Sequence, residues 1–373
     1  MSVREHLQAA VTEALTDRDA DAFVHVGPTT APETRYCLQA SGSHERANGE
    51  PHHTRAMAFT PDILLQCGPT ADGRHPAETL ADRLETCLAA TGTDGPYTVL
   101  TPRTIPHDAV CYLEETGVSV TASDVLERAR AVKTPAERAR IAHAHGAATT
   151  GLERGAALLA AARVDADGLL RGGRDGGPLT ATDLRLAVDE AVVRAGTYPF
   201  ANTQVAVDGT LLPGETDLPG GTPIEISVTP REPGGYYGSL TRTVVVDGDG
   251  GWERRAAVAA EAAFSSVRAY LSSDGPTVPG AEGDLEAEIR AFGFEEGIET
   301  EVTGIGLEPR ETPPTEDVTG SVLRVAASVA GPGGGRVGLA DLVVCNANGA
   351  RRLEGPPLSL EPEALAGGTT DDG

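Results

Sequence analysis

Residues 223–246, PIEISVTPREPGGYYGSLTRTVVV, read as a strand, a turn rich in proline and glycine, and a returning strand. Working outward, ANTQVAVDG (201–209), VLRVAASVAG (322–331) and GRVGLADLVVCN (335–346) add three more strands. Helical spacing predicts helices over 181–195, 252–272 and 283–292. Thr134-Pro135-Ala136-Glu137 is a helix start, with Thr as cap and Pro at the first helical position, and that helix runs to about residue 163. The glycine-rich GGRDGG (172–177) and PGGGR (332–336) follow no strand-to-helix phosphate pattern and read as turns.

Upstream, the chain alternates helical and strand signals. A helix over 2–15 opens with a capping box, Ser2 followed by Glu5. AFVHV (22–26) is a strand, MAFT and ILLQC pair around Pro61-Asp62, a helix covers 76–92, and YTVL (97–100) is a further strand. Two short helices, over 108–117 and 124–133, complete an α/β domain of residues 1–130. Residues 131–361 form a second domain, and the acidic 362–373 is expected to be a disordered tail.

At 373 residues the chain exceeds one ordinary core, which agrees with two domains. Asp and Glu number 55 against 30 Lys and Arg, a net charge of −25, and Lys133 is the only lysine. Charge spread along the chain in this way resembles proteins of extreme halophiles, where salt screens the self-repulsion. With no basic stripe and few aromatics, nucleic acid is excluded as a partner. No apolar run is long enough for a membrane helix, and the N-terminus lacks the basic and apolar regions of a signal peptide, so a cytoplasmic location is expected. The 5 cysteines are scattered, with no CxxC pair, and read as reduced thiols.

Three segments carry a resemblance to the creatinase/prolidase/aminopeptidase P family of pita-bread metallopeptidases. PIEISVTPREPGGYYGSLTRTVVV looks like the strand pair that brings two aspartates to the metals. VTGIGLEPRETPP (302–314) resembles the family's Gly-His-Gly-x-Gly-Leu-x-x-His-Glu-x-Pro motif. RVAASVAGPGGGRVGLADLVV (324–344) resembles the strands bearing two glutamates. Residues 35–67 look like the family's N-terminal domain, so the likeness covers nearly the whole chain. It implies an α/β N-terminal domain followed by an α+β pita-bread domain with a curved, mostly antiparallel sheet.

It also implies two Mn-, Co- or Zn-type divalent ions sharing carboxylates around a bridging water. Here the aspartate positions hold Ser227 and Ser239, the metal histidine Thr303, and the glutamates Ala326 and Ala340; the second histidine of the glycine motif is Arg310. All 9 histidines lie in the first 145 residues. The expectation is a cleft with no metal and no catalytic residue, vestigial at Ser227, Ser239, Thr303, Ala326 and Ala340, with Arg310, Arg242 and Tyr237 as its pocket. Arg242 also reads as an anchor of the strand pair, and Tyr236 as packing.

Four carboxylates without ions would repel and be driven to protonate, so loss of the whole set relieves a liability that loss of one would create. Ser227, Ser239 and Thr303 invite a hydroxyl-nucleophile reading that lacks a histidine base in this domain. Glu308, Glu311 and Asp341 could hold a weak hydrated cation. His52-His53 reads as an exposed loop pair, and His143 and His145, two apart on a helix, face different ways.

The leading expectation is a non-catalytic relative of Xaa-Pro peptidases, binding a peptide or protein in the former active-site cleft or acting as a regulatory homodimer or heterodimer with an active paralogue. A histone chaperone subunit and a proliferation-associated factor of the same fold offer the analogy. The alternative is a metal-dependent Xaa-Pro aminopeptidase or dipeptidase with ligands from outside the motifs, His52, His53 and His107 being the sources of nitrogen. A third reading is a metal-free hydrolase using hydroxyls and Arg310.

Overall fold

The capping box at the N-terminus is formed: the Glu5 amide donates to Ser2 Oγ, and Glu5 accepts from the Ser2 amide, opening α1 (Val3–Asp17). A computed structural model describes residues 1–42, 53–90, 96–173, 176–315, 317–331 and 334–367. They divide into two compact units, Met1–Glu137 and Arg138–Gly373.

In the first unit α1 leads to β1 (Ala22–Pro28), α2 (Pro32–Ser41), β2 (Thr54–Phe59), β3 (Leu64–Cys67) and α3 (Pro76–Ala89). β4 (Thr98–Thr101), α4 (His107–Glu115), β5 (Ser119–Ala122) and α5 (Val125–Ala131) follow. The strands make a five-stranded sheet in the order β3-β2-β1-β4-β5. β1 pairs β2 antiparallel and β4 parallel, so the sheet is mixed. Leu80, Leu84 and Leu88 of α3 pack with Val24, Val26 and Val99 in one core.

Thr134 and Glu137 form a second capping box, at the head of α6 (Pro135–Ala161). Beyond it come β6 (Arg163–Val164), β7 (Leu170–Arg171), α7 (Ala181–Arg194), β8 (Thr203–Val207), β9 (Thr210–Leu211), β10 (Ile224–Val228), β11 (Leu240–Val244), α8 (Trp252–Tyr270) and α9 (Val278–Ala291). β12 (Ile298–Gly304), β13 (Val322–Ala330), β14 (Arg336–Asn346), β15 (Gly349–Arg352) and α10 (Pro362–Leu365) end the order. An eight-stranded sheet runs β12-β13-β14-β11-β10-β8-β9, with β15 paired to β14, and neighbouring strands in it are antiparallel.

Strand alternation assigns its two faces. Ile224, Ile226 and Val228 of β10 are buried with α6 and α7, while Val325, Val329 and Leu339 are buried with α8 and α9. Each such apolar side chain contributes about 1.5–3 kcal/mol on burial. The intervening residues, Glu225 and Ser227 on β10, Ala326 and Ser328 on β13, are only half-buried and face the other way.

Two expectations are corrected. Helix α9 begins at Val278, five residues before the expected 283, because Thr277 caps it through the Gly280 amide. A Cβ at Gly280 would lie 1.9 Å from the Tyr270 hydroxyl, so glycine is what lets that side chain pass. The segment expected to be a disordered tail includes α10, whose Leu365 is buried in the core with α6 and α7; residues 368–373 lie outside the described residues.

Behind the cleft face, Arg242 is fully buried and donates two hydrogen bonds to Asp341, at 3.1 and 3.0 Å. It also reaches the carbonyls of Thr241, Ala340, Pro356 and Pro357. Arg352 lies 2.9 Å from the same carboxylate. Replacing Asp341 by Ala leaves two guanidinia uncompensated, and the expected loss of stability is about 3–5 kcal/mol. Urea unfolding checks this, and a loss below about 1 kcal/mol contradicts it.

Candidate functional site

One row of directly opposed residues crosses the sheet: Gln204, Ser227, Thr241, Ala340, Ala326 and Glu301, on β8, β10, β11, β14, β13 and β12. Opposed residues share a face, and all six line a cavity of about 590 Å³. The next row on one side holds Glu225, Gly338, Ser328 and Glu299, which line the same cavity. On the other side Arg324 lies opposite Thr303.

Ser227, Ala326, Ala340 and Arg310 therefore meet in one cleft. Ser239 adjoins it, its hydroxyl accepting from Arg324 Nε at 3.2 Å. Thr303 Oγ1 is buried without a hydrogen-bond partner among the described residues. Arg242 and Tyr237, expected in the pocket, do not line it. Arg242 alternates with the hydroxyls of Thr-Arg-Thr and so points to the opposite face, onto Asp341. Tyr237 takes the Arg231 guanidinium 6.0 Å from its ring centroid and gives its amide to the Gly306 carbonyl.

Two of the three acidic residues considered for a weak cation are engaged elsewhere. Asp341 belongs to the buried ion pair, and Glu311 turns inward to accept from the Leu307 amide at 2.9 Å. Among the described residues no group of three His, Cys, Asp or Glu side chains is placed to hold a metal ion. His52 lies outside the described residues, and His53 and His107 belong to the first unit.

The hydroxyl reading needs a correction on its base. Helix α6 brings His145 against β11, with Nδ1 2.9 Å from the Ser239 carbonyl. A histidine is therefore present in this unit, but it bonds the backbone of Ser239 rather than its hydroxyl. Burial lowers its pKa, with the nearby Asp341 opposing that shift. The approach depends on Gly238, where a Cβ would stand 2.4 Å from the backbone of Ala144 and His145.

Apart from Arg310, the charged residues of the cleft went unnoticed in the sequence. Arg324 donates to Glu301 Oε2 at 2.5 Å, and Arg310 Nε sits 3.0 Å from the same carboxylate. Arg336 grips Glu299 and reaches Ser328 Oγ at 2.6 Å. Glu225 extends over Gly338, where a Cβ would lie 2.0 Å from its Oε2. Burial raises the Glu225 pKa, Arg336 and Arg324 oppose the rise, and Glu299 adds to it. Arg324 is held below its ordinary value, first by burial and then by Arg310. Glu225, Glu301 and Arg324 each stand two places from a residue singled out in the sequence, Ser227, Thr303 and Ala326, and Glu299 and Arg336 stand four places from Thr303 and Ala340, so period-two alternation was the available signal.

The donor set does not fit a pair of divalent ions. Ser227 Oγ lies 2.6 Å from Thr241 Oγ1, Ser239 accepts from a guanidinium, and the remaining positions offer a hydroxyl and two methyl groups. A cation beside Arg324 would be repelled, and neutral hydroxyls are poor substitutes for carboxylates.

Sheet order and cleft define the second unit as a pita-bread domain, preceded by the α/β domain found in prolidases. Comparison with solved structures agrees. Xaa-Pro dipeptidase from Bacillus anthracis superposes with a TM-score of 0.71 at 16% identity, over 96% of this chain and 98% of that one. Dipeptidase PepE from Mycobacterium ulcerans gives 0.70 at 20% identity, over 96% and 97%. The N-terminal domain of FACT complex subunit SPT16 from chickpea gives 0.68 at 14% identity, over 98% and 97%. No family model matches the sequence, and no curated protein matches it. At these identities the likeness establishes the fold.

Glu225 generates a pH signature. Its folded-state pKa lies above the ordinary 4.5, so the ionised form is disfavoured by folding, and that cost is present above the raised value and relieved below it. The melting temperature of Glu225→Gln, relative to the parent, is therefore expected to improve as pH rises through that window. A difference that does not vary with pH contradicts this.

Proposed function

We propose that the chain is a non-catalytic relative of the Xaa-Pro peptidases, using the cleft of its second unit to bind a peptide or protein ligand. The observation that carries this reading is the Arg324 guanidinium, held between Ser239 and Glu301 on the cleft wall. Where the family resemblance implies carboxylates neutralised by metal ions, this chain offers carboxylates neutralised by its own arginines. Such a site holds and orients a ligand, but it supplies neither a Lewis acid nor a metal-bound nucleophile.

Nor does it supply a base for a hydroxyl nucleophile, since His145 is engaged behind β11. The fold is compatible with either outcome, for it is shared by peptidases and by a subunit of the FACT complex. A regulatory role through a dimer, with itself or with an active paralogue, belongs to the same reading. Among the described residues no helix is long and apolar enough to cross a membrane.

Turnover tests the proposal. An Xaa-Pro dipeptide incubated with the full chain and added Mn²⁺ is expected to be hydrolysed no faster than in buffer. Hydrolysis that chelation abolishes contradicts the proposal and favours a metallopeptidase with ligands from elsewhere in the chain or its assembly. Hydrolysis insensitive to chelation contradicts it in favour of a hydroxyl-based hydrolase.

A further inference from the structure

A second cavity, of about 740 Å³, opens on the same unit and shares no lining residue with the cleft. It is lined by helix α8, the turn leading from β11 into α8, and the segment 358–363. On α8 the lining residues Arg254, Ala257, Val258 and Glu261 recur at the helical spacing, so they form one stripe. The segment is tied down at its middle, where the Val245 amide donates to the Leu360 carbonyl at 2.9 Å. Leu358 and Leu360 pack on the core of α8 and α9 yet stay half-buried, and Val258 is 47% exposed. The result is a groove whose apolar surface is open to water.

Asp247, Asp249, Glu253, Glu261, Glu361 and Glu363 line the same groove, and among the described residues lining it Arg254 is the one base. All of these acidic residues except Glu253 are exposed. The whole chain carries 55 acids to 30 bases, so an excess of six to one is local to the groove. Solvation alone calls for no exposed apolar surface, and core packing alone calls for no concentration of charge. Their combination describes a docking surface.

We propose that this groove docks a basic amphipathic segment of a partner protein, its apolar side chains on Val258, Leu358 and Leu360 and its Lys or Arg side chains on the carboxylates. An amphipathic helix laid in a groove divides its contacts in this way, with apolar area giving affinity and charge giving selection. A second copy of this chain is disfavoured, for it carries a charge of −25 and its one lysine, Lys133, is buried. Docking here is separate from ligand binding in the cleft and holds whether or not the cleft is catalytic.

Fluorescence anisotropy of the labelled peptide KLLKKLLKKLLK with the full chain tests the proposal, in about 0.1 M KCl, where the screening length is about 10 Å. The peptide is expected to bind about tenfold or more tightly than KSSKKSSKKSSK, which keeps the charge and lacks the apolar face. The same margin is expected over ELLEELLEELLE, which keeps the apolar face and reverses the charge. Asp249→Lys combined with Glu261→Lys should weaken binding about tenfold or more. Glu85→Lys combined with Glu114→Lys makes the same change in net charge at exposed positions of the first unit and should leave binding unchanged. Val258→Ser, at an exposed position, should weaken binding and keeps the test available should the charge-reversed groove variant fold poorly.

Equal weakening by the two charge-reversed pairs would show general attraction to an acidic protein and overturns the proposal. So does equal affinity for the lysine–serine peptide, or no binding of KLLKKLLKKLLK. Sedimentation velocity covers the remaining occupant: self-association of the parent chain that Asp249→Lys with Glu261→Lys removes would put a second copy in the groove and overturn the proposal as well.

Discussion

The ion pair of Arg242 with Asp341 fixes the geometry on which the cleft depends. Only Thr241 and Ala340 stand in paired register between β11 and β14, yet both strands must be aligned for the cleft row to form. The fully buried guanidinium completes the junction, bonding the carbonyls of those same two residues as well as Asp341. It further collects the carbonyls of Pro356 and Pro357, tying the chain beyond β15 to the back of the sheet. A lysine could not serve there, because a planar fork of donors is required to reach so many acceptors at once. Arg352, which also approaches Asp341, completes a network whose members are costly to remove one at a time.

With the back of the sheet fixed, the front is free to vary in chemistry. Four carboxylates can surround two divalent ions only because the ions cancel their repulsion. In this chain the carboxylates of the cleft are Glu225, Glu299 and Glu301, and Arg310, Arg324 and Arg336 stand among them. The balance is covalently attached and needs no ion from solution. A guanidinium at Arg324 also makes the wall beside Ser239 inhospitable to a cation.

Much of the fold was legible because its signals are local. The capping box at Ser2, the cap at Thr134, the hairpin around Pro61-Asp62 and the strand–turn–strand of residues 223–246 each lie within a short window. The start of α9 was missed because Gly280 and Gly283 look like breakers until Tyr270 is seen to need the space over Gly280. Helix α10 was missed because its stability comes from Leu365 in a distant core rather than from the composition of the tail. The site was half legible. Ser227, Ala326 and Ala340 were placed by motif, but a motif does not say which face a neighbour takes. Arg242 was set in the pocket although its flanking threonines already claim that face. The other charged residues of the cleft escaped notice because they meet only when β10, β12, β13 and β14 are in register.

The central claim is that arginine, not metal, neutralises this cleft. It is tested most directly by counting ions. The full chain would be incubated with Mn²⁺ or Co²⁺ in concentrated KCl, desalted and assayed by mass spectrometry. Well under one ion per chain is the predicted result. About two tightly held ions per chain would contradict it, because the guanidinium of Arg324 and the hydroxyls of Ser227, Ser239 and Thr303 could not have held them.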